Sequence, residues 1–189
     1  RDSHNSGICG DGKSFFDAMA YHMSRMQTGS LLTAMNELSN HDHSRFLTRT
    51  NRRVGRLATA GAQMAQEGVR TSVMREAVMI QMTWPGAPTI YYGDEAGVCG
   101  WTDPDSRRTY PWGEEDLELL EYHRYMIGIH KRLSVLRKGS VKPLLAGRDV
   151  IAYGRMYKKY HAVTVINNGE TERCLEIPVW QLGITDDVP

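Results

Sequence analysis

The sequence predicts an α/β fold in which short buried strands alternate with helices, followed by a segment of antiparallel strands. Two short apolar runs, 31–38 and 87–93, are each bounded by turn residues and are separated by a helical pattern. Buried strands that alternate with helices imply a parallel sheet or barrel. After Gly139 the pattern changes to short β-type segments between polar turns, which predicts a second, all-β unit.

The elements before Gly139 follow from local patterns. We expect a helix that begins at Ser14, its N-cap residue, and ends at Gly29. The run 31–38 follows as a buried strand, with a helix as the alternative. The polar segment 43–67 is a loop or a short extra helix. A second helix spans 69–82, where apolar residues recur at helical spacing and the motif WPG ends it.

The remaining elements complete this order. The apolar run 87–93 is the second strand, and a polar loop occupies 94–113. A long helix then runs to Arg137, with acidic residues at its positive end. The segments VIAYGRM, HAVTVINN and RCLEIPV predict three antiparallel strands after Gly139.

The composition excludes strongly charged partners. The 189 residues include 23 basic and 22 acidic side chains, and 41% of the chain is hydrophobic. A net charge of +1 creates no field that would gather nucleic acid or a membrane surface. Five arginines lie between Arg45 and Arg56, but no aromatic residue interleaves with them after Arg49, so we expect a solvated or carboxylate-pairing segment. No apolar run reaches the roughly 18–20 residues that span a bilayer.

The three cysteines favour a reducing compartment. Cys9, Cys99 and Cys174 lie far apart, form no CxxC pair and cannot all be disulfide-bonded within one chain. A cytoplasmic location is therefore favoured. The chain begins with Arg1 and shows no signal sequence, so we expect a piece of a longer protein, and export is left open.

The motif NHDHSRF, residues 40–46, directly follows the first predicted strand and allows three interpretations. Asn and Asp favour a turn, which explains neither the two histidines nor the arginine. His41, Asp42 and His43 are adjacent and can rarely all face one ion, and no HxxxH or HExxH spacing exists, so we expect no metal site. In a barrel, functional groups stand at the carboxyl ends of the strands, where a carboxylate and an imidazole can hold sugar hydroxyls or a developing positive charge.

Three segments resemble the α-amylase family of glycoside hydrolases. NHDHSRF resembles the NHD segment at the end of that family's seventh barrel strand, and GAPTIYYGDEAG, 86–97, resembles the GxPxIYYGDExG of the eighth. DPDSRRTYPW, 103–112, resembles the following loop in the neopullulanase, cyclomaltodextrinase and maltogenic amylase branch, which more usually has Asn or Cys at the position of Ser106. The segments occur in the family's order, and the resemblance extends from about residue 14 to the end.

The resemblance implies roles for particular residues. Asp42 matches the carboxylate that stabilises the transition state by binding the hydroxyls of the reacting sugar, and His41 matches the histidine that binds the same sugar. Asp103 and Arg107 match a loop pair that holds the neighbouring glucose. Residues 92–95 match a segment that shapes the top of the barrel. The implied ligand is an α-glucan oligosaccharide or polysaccharide.

The same resemblance implies an incomplete catalytic site. Retaining glycoside hydrolysis needs a nucleophile and a general acid about 5–5.5 Å apart, and in this family both come from earlier strands. No segment resembles the GxRxDxxK/N nucleophile motif, and a full barrel takes about 250 residues. We therefore expect residues 1–138 to form the C-terminal part of a (β/α)8 TIM barrel, with about its last two strands, and residues 139–189 to begin an antiparallel β-sandwich domain.

These expectations leave two functions open. The first is the C-terminal portion of a retaining hydrolase or transglycosylase acting on α-1,4 bonds, or also α-1,6 bonds, of maltodextrin, cyclodextrin or pullulan, with this chain inactive alone. The second is a non-catalytic, structural or transporter-associated relative, against which the retained site residues argue. Exposed strand edges of a partial barrel would also favour a homo-oligomer. Calcium is common in the family, yet no ligand set for it is recognisable here, so we expect no cofactor in this portion.

Overall fold

The computed structural model describes residues 7–184, and their contacts divide them into two compact units. The first unit contains Met35–Met82 and Pro88–Ile129. The second contains the described residues before Met35, together with Thr83–Ala87 and the described residues from His130 onward. Across 7–184, no helix is both long enough and apolar enough to cross a membrane. All the predicted site residues belong to the first unit.

Helices and short strands alternate along the first two thirds of the chain. The helices are α1 (Gly12–Met23), α2 (Thr28–Thr33), α3 (Phe46–Arg49), α4 (Leu57–Ala60), α5 (Thr71–Thr83), α6 (Leu117–Arg132) and α7 (Ser134–Lys138). The strands are β1 (Met35–Glu37), β2 (Ala87–Thr89), β3 (Ser140–Ala146), β4 (Val150–Tyr157) and β5 (Tyr160–Asn167). Single 3-10 turns occur at Gln63–Ala65, Asp105–Arg107 and Val179–Leu182. β1 pairs with β2, and β3, β4 and β5 form an antiparallel sheet.

The core of the first unit forms between α5, α6 and the loops that follow the two strands. Its buried members are Leu47, Ala65, Met74, Val78, Met82, Cys99, Trp101, Leu119 and Met126. On α5 the buried residues recur every fourth position, which places them on one face of the helix. This packing fixes the loops that carry the predicted site residues, because Leu47 and Trp101 lie on those loops.

A buried amide at the end of α5 connects the two strands of the first unit. Gln81 Nε2 donates to the carbonyl oxygens of Asn36 in β1, at 3.0 Å, and Thr89 in β2, at 2.8 Å. The side chain is buried. Gln81 thus links α5 to both strands, just before each strand leads into a loop of the candidate site.

We expect Gln81→Leu to lower the free energy of unfolding by about 1–3 kcal/mol, because two hydrogen bonds worth about 0.5–1.5 kcal/mol each are lost. Urea denaturation measures the change. The matched control is Gln66→Leu at an exposed position, for which we expect a change within about 0.5 kcal/mol. Equal effects of the two substitutions would show that the bridge contributes nothing.

The second unit packs aromatic rings and one buried arginine beside its antiparallel sheet. The Trp84 ring lies 6.2 Å from the Phe16 ring and edge-on, at 4.9 Å, to the Tyr153 ring of β4. Arg155 is fully buried and donates to the carbonyl oxygen of Gly139 at 2.7 Å. Burial raises the pKa of Tyr153 to about 12 and lowers the pKa of Arg155 to about 10.

Two predicted elements before the first loop differ from the structure. α1 begins at Gly12, not at Ser14, because the Asp11 carboxylate accepts hydrogen bonds from the backbone N–H groups of Lys13 and Ser14. Within the predicted strand 31–38, only β1 is extended, because the residues before it close into the helix α2. A short apolar run does not distinguish a strand from a buried helical turn.

Three differences occur later in the chain. The long helix predicted to end at Arg137 is divided at Leu133, whose extended backbone begins α7. The segment 173–179 forms no strand, and Pro178 within it lacks an N–H for sheet pairing. β3 was not predicted; Pro143 obscures its pattern and lies where its register against β4 shifts. The domain boundary between residues 138 and 139 stays a prediction.

Candidate active site

The turn after β1 is made by an asparagine. Asn40 Oδ1 accepts hydrogen bonds from the backbone N–H groups of Asp42 at 3.0 Å and His43 at 3.1 Å. Its Nδ2 donates to Glu37 Oε1 at 2.8 Å. This is the local bonding that asparagine side chains supply in turns. Asn40 therefore satisfies the turn, and the carboxylate of Asp42 is left for other contacts.

His41 and Asp42 form an exposed pair on this turn. His41 Nε2 lies 3.3 Å from Asp42 Oδ1, and 68% of the Asp42 side chain is exposed. A carboxylate accepts hydrogen bonds, whereas an imidazole offers both a donor and an acceptor. The pair can thus contact the hydroxyl groups of a ligand without displacing any protein side chain.

A second exposed pair lies on the loop around the 3-10 turn Asp105–Arg107. Arg107 Nε donates to Asp103 Oδ1, and both side chains are about half exposed. The hydrogen bond that Arg107 donates to Asp103 raises the pKa of Arg107 above its ordinary value, and the negative charge of Asp42 adds to the effect. Both exposed pairs therefore belong to the first unit, the first on the turn after β1 and the second on this loop.

A fully buried arginine holds the two loops together. Arg45 Nε donates to the carbonyl oxygen of Ser106 at 2.8 Å, and its Nη1 donates to the carbonyl oxygen of Tyr92 at 2.6 Å. The same Nη1 lies 3.1 Å from Asp94 Oδ1. The guanidinium carbon is 4.1 Å from the centre of the Tyr91 ring, within cation–π range. One side chain thus connects the first loop to the chain after β2 and to the second loop.

Ser106, at the position where the neopullulanase-like branch more usually has Asn or Cys, also joins the two loops. Ser106 Oγ donates to the carbonyl oxygen of His41 at 2.9 Å. Its neighbour Asp105 is buried. The Asp105 carboxylate accepts hydrogen bonds from Arg108 Nε at 2.9 Å and Nη2 at 2.8 Å. It also accepts one from the backbone N–H of Trp101 at 2.8 Å. Asp105 therefore has a structural role, and Ser106 positions the backbone of the His41–Asp42 turn.

Burial changes the titration of Asp94. It raises the pKa of Asp94 to about 6, although hydrogen bonds from Ser39 and Arg45 favour the ionised form. A folded-state pKa above the ordinary value of 3.8 means that the native protein binds this proton more tightly than the unfolded chain does. The resulting stability is fully present below a pH of about 3.8 and is lost as the pH rises through about 6.

We expect this group to make stability fall between pH 4 and pH 7, by about 3 kcal/mol at most. Asp94→Asn lacks the titrating group and therefore supplies the comparison. Urea denaturation of the original chain and of Asp94→Asn at both pH values gives the two free energies of unfolding. The free energy of unfolding of the original chain minus that of Asp94→Asn should be smaller at pH 7 than at pH 4. A difference that is constant or larger at pH 7 would contradict the raised pKa of Asp94.

Within 7–184, no three His, Cys, Asp or Glu side chains lie close enough together to hold an ion. The expectation that this portion carries no cofactor stays a prediction.

Two contributors to the site were missed by sequence reasoning: Arg45 and Ser106, which join the loops. The turn preference of Asn40, one of the interpretations of the NHDHSRF motif, is observed. Arg45 was placed in an arginine-rich segment that was expected to be solvated or to pair with carboxylates. Its pairing with a carboxylate is observed, but its complete burial is a tertiary property that spacing does not reveal.

Comparison with known proteins identifies relatives of this chain. The family model described as "Alpha amylase, catalytic domain" matches residues 4–139. Amylopullulanase of Thermoanaerobacter thermohydrosulfuricus is 37% identical over 160 residues, which are 75% of this chain and 10% of that protein. Neopullulanase 2 of Thermoactinomyces vulgaris is 36% identical over 145 residues, which are 74% of this chain and 22% of that protein. The chain thus spans less than a quarter of either relative.

Solved structures agree on the fold. The debranching enzyme from Nostoc punctiforme superposes with a TM-score of 0.76 and 26% identity, covering 92% of this chain and 32% of that one. A cyclomaltodextrinase gives a TM-score of 0.71 and 28% identity, covering 84% and 25%. The predicted fold class, part of a TIM barrel followed by antiparallel strands, is confirmed. From the match over most of its length, the chain belongs to the α-amylase family of glycoside hydrolases.

Proposed function

We propose that the chain is the C-terminal portion of a retaining α-glucan hydrolase or transglycosylase. Its substrates would be the α-1,4 bonds of maltodextrin, cyclodextrin or pullulan, with α-1,6 bonds as a second class. The observation that carries the proposal is the exposed His41–Asp42 pair, whose turn is joined to the loop of Asp103 and Arg107 by the hydrogen bond from Ser106 Oγ to the His41 carbonyl oxygen. The names of the relatives, amylopullulanase and neopullulanase, support the substrate class. The homo-oligomer and the cytoplasmic location stay predictions.

In the proposed function each of these residues has a task. Positive charge develops on the reacting sugar in an oxocarbenium-like transition state, and the exposed Asp42 carboxylate supplies a fixed negative charge and acceptors for the sugar's hydroxyls. His41, beside it, orients the same sugar. The Asp103–Arg107 pair offers both acceptors and donors, which suits a second glucose unit. Buried Arg45 keeps these groups on two fixed loops.

The other carboxylates near these loops are poorly suited to the missing chemical roles. Asp94 and Asp105 are buried in ion pairs with Arg45 and Arg108, so neither reaches a glycosidic bond. The nucleophilic aspartate and the general-acid glutamate would come from upstream strands of a complete barrel. We therefore expect the chain alone to be inactive. An upstream sequence lacking both carboxylates would instead favour the non-catalytic alternative.

The test is an assay of the purified 189-residue chain. After circular dichroism has shown that it is folded, release of reducing sugar from maltoheptaose and pullulan is measured, and we expect none. Calorimetric titration with maltotriose then tests binding, which Arg107→Ala should weaken by about tenfold or more. Arg53→Ala, at another half-exposed arginine paired with a carboxylate, is the matched control.

Two results would overturn parts of the proposal. Sugar release that Asp42→Asn abolishes would mean that carboxylates of this chain perform the chemistry and that the site is complete. Equal maltotriose binding by Arg107→Ala and Arg53→Ala would remove the glucose-holding role of the second loop.

A further inference from the structure

A half-buried tyrosine ring and an exposed tryptophan ring follow the Asp103–Arg107 loop. The Tyr110 and Trp112 ring centres lie 4.5 Å apart, with their planes inclined by 45°. The segment is held in a tight turn, because the Trp112 N–H donates to the Tyr110 carbonyl oxygen at 3.0 Å and the Glu114 N–H donates to that of Pro111 at 2.9 Å. The two rings are therefore presented on a defined backbone.

The indole of Trp112 is largely exposed. Trp84 and Trp101 are buried, whereas 83% of Trp112 and 68% of Trp180 are accessible to solvent. Single exposed apolar side chains are common on protein surfaces. Here the exposed ring is supported by a second ring and lies on the segment that carries the glucose-binding pair, which together point to a ligand.

Charged groups surround the rings. Desolvation raises the pKa of the Tyr110 hydroxyl above its ordinary value, and the negative charges of Glu95 and Glu115 add to the effect. The Tyr110 hydroxyl therefore stays protonated and can donate a hydrogen bond. Arg124, whose charge acts in the opposite direction, forms an ion pair with Glu121 on α6. An apolar surface with donors and acceptors at its edge suits a flat molecule with a polar rim.

We propose that Tyr110 and Trp112 form a subsite for a glucosyl unit of an α-glucan, beyond the sugars held by Asp42 and Arg107. A pyranose ring presents C–H groups on its faces and hydroxyls around its rim, so it can stack on an aromatic ring while its hydroxyls bond to polar neighbours. This inference rests on the proposed function, because the same bound chain supplies both sugars.

The spacing makes the subsite dependent on ligand length. Trp112 lies five positions after Arg107 in the sequence. A chain segment of that length spans at most about 18 Å when extended. An oligosaccharide of several glucose units covers such a distance, whereas a short one reaches only the loop pair. The subsite therefore contributes affinity for long α-glucans and nothing for short ones.

The experiment compares maltoheptaose with maltotriose by calorimetric titration of the 189-residue chain. Trp112→Ala should weaken binding of maltoheptaose by about tenfold and leave maltotriose unchanged, while Trp112→Phe should retain part of the affinity. The matched control is Trp180→Ala, because Trp180 is also exposed, at 68%. In parallel, the indole N–H resonance of Trp112, assigned with Trp112→Phe, should shift with maltoheptaose and not with maltotriose.

The outcomes separate the two proposals. If Trp112→Ala binds maltoheptaose as the original chain does while Arg107→Ala weakens both sugars, the aromatic subsite is wrong and the proposed function stands. If maltoheptaose binding depends on Trp112 and not on Arg107, the subsite stands and the glucose-holding role of Arg107 fails. If the folded chain binds neither sugar, both proposals fail.

Discussion

Arg45→Met should lower the free energy of unfolding by about 3–5 kcal/mol, because it leaves a buried carboxylate without its cation. Arg45 and Asp94 are 3.1 Å apart, with side-chain exposures of 0% and 4%. The substitution also removes the hydrogen bonds to the carbonyl oxygens of Ser106 and Tyr92. Methionine occupies a similar volume and is adaptable in shape, so a cavity contributes little to the loss.

Urea denaturation at pH 7 measures the effect, and a second arginine supplies the control. Arg53 lies 3.3 Å from Glu67, with both side chains about half exposed, so Arg53→Met should cost less than about 1 kcal/mol. Adding Asp94→Asn to Arg45→Met should restore part of the stability, because the unpaired buried charge is then gone. A loss below about 1 kcal/mol for Arg45→Met would show that Arg45 does not hold the loops together.

The motifs predicted where the site lies more successfully than how it is built. NHDHSRF and DPDSRRTYPW were expected after the two strands, one to bind the reacting sugar and the other the neighbouring glucose, and the hydrogen bond from Ser106 to the His41 carbonyl oxygen joins the two segments. The roles of Asp42, His41, Asp103 and Arg107 stay predictions. The bonds that join the loops run between residues up to 65 positions apart, as from Ser106 to His41. No local pattern encodes contacts of that range.

The fold shows the same division between local and tertiary information. The prediction of α5 was close because its apolar residues recur at helical spacing over 13 residues. The strand expected over 31–38 was mostly wrong, because a run of that length carries too few periods to distinguish a helical turn from a strand. Asp11 displaced Ser14 as the cap of α1 because both residue types are good caps, and only the three-dimensional position of the carboxylate selects between them.

Asp42→Asn in a complete enzyme that contains this chain should lower kcat by about 100- to 1000-fold, the range seen when one fixed electrostatic contact to a transition state is removed. Asparagine keeps the size of the side chain and one acceptor oxygen but lacks the charge that opposes the developing positive charge. Because 68% of the Asp42 side chain is exposed and its turn is held by Asn40, we expect the free energy of unfolding to change little.

Whether Asp42→Asn changes kcat or KM decides whether Asp42 acts in the transition state. Steady-state kinetics on maltoheptaose should show a lower kcat with a nearly unchanged KM, because the charge is needed when the bond breaks and not when the sugar binds. Asp103→Asn, on the second loop, should instead raise KM, since that carboxylate is expected to hold a neighbouring glucose in both states. Nearly intact kcat in a folded Asp42→Asn enzyme would remove Asp42 from the mechanism, and a rise in KM alone would reduce its role to binding the ground state.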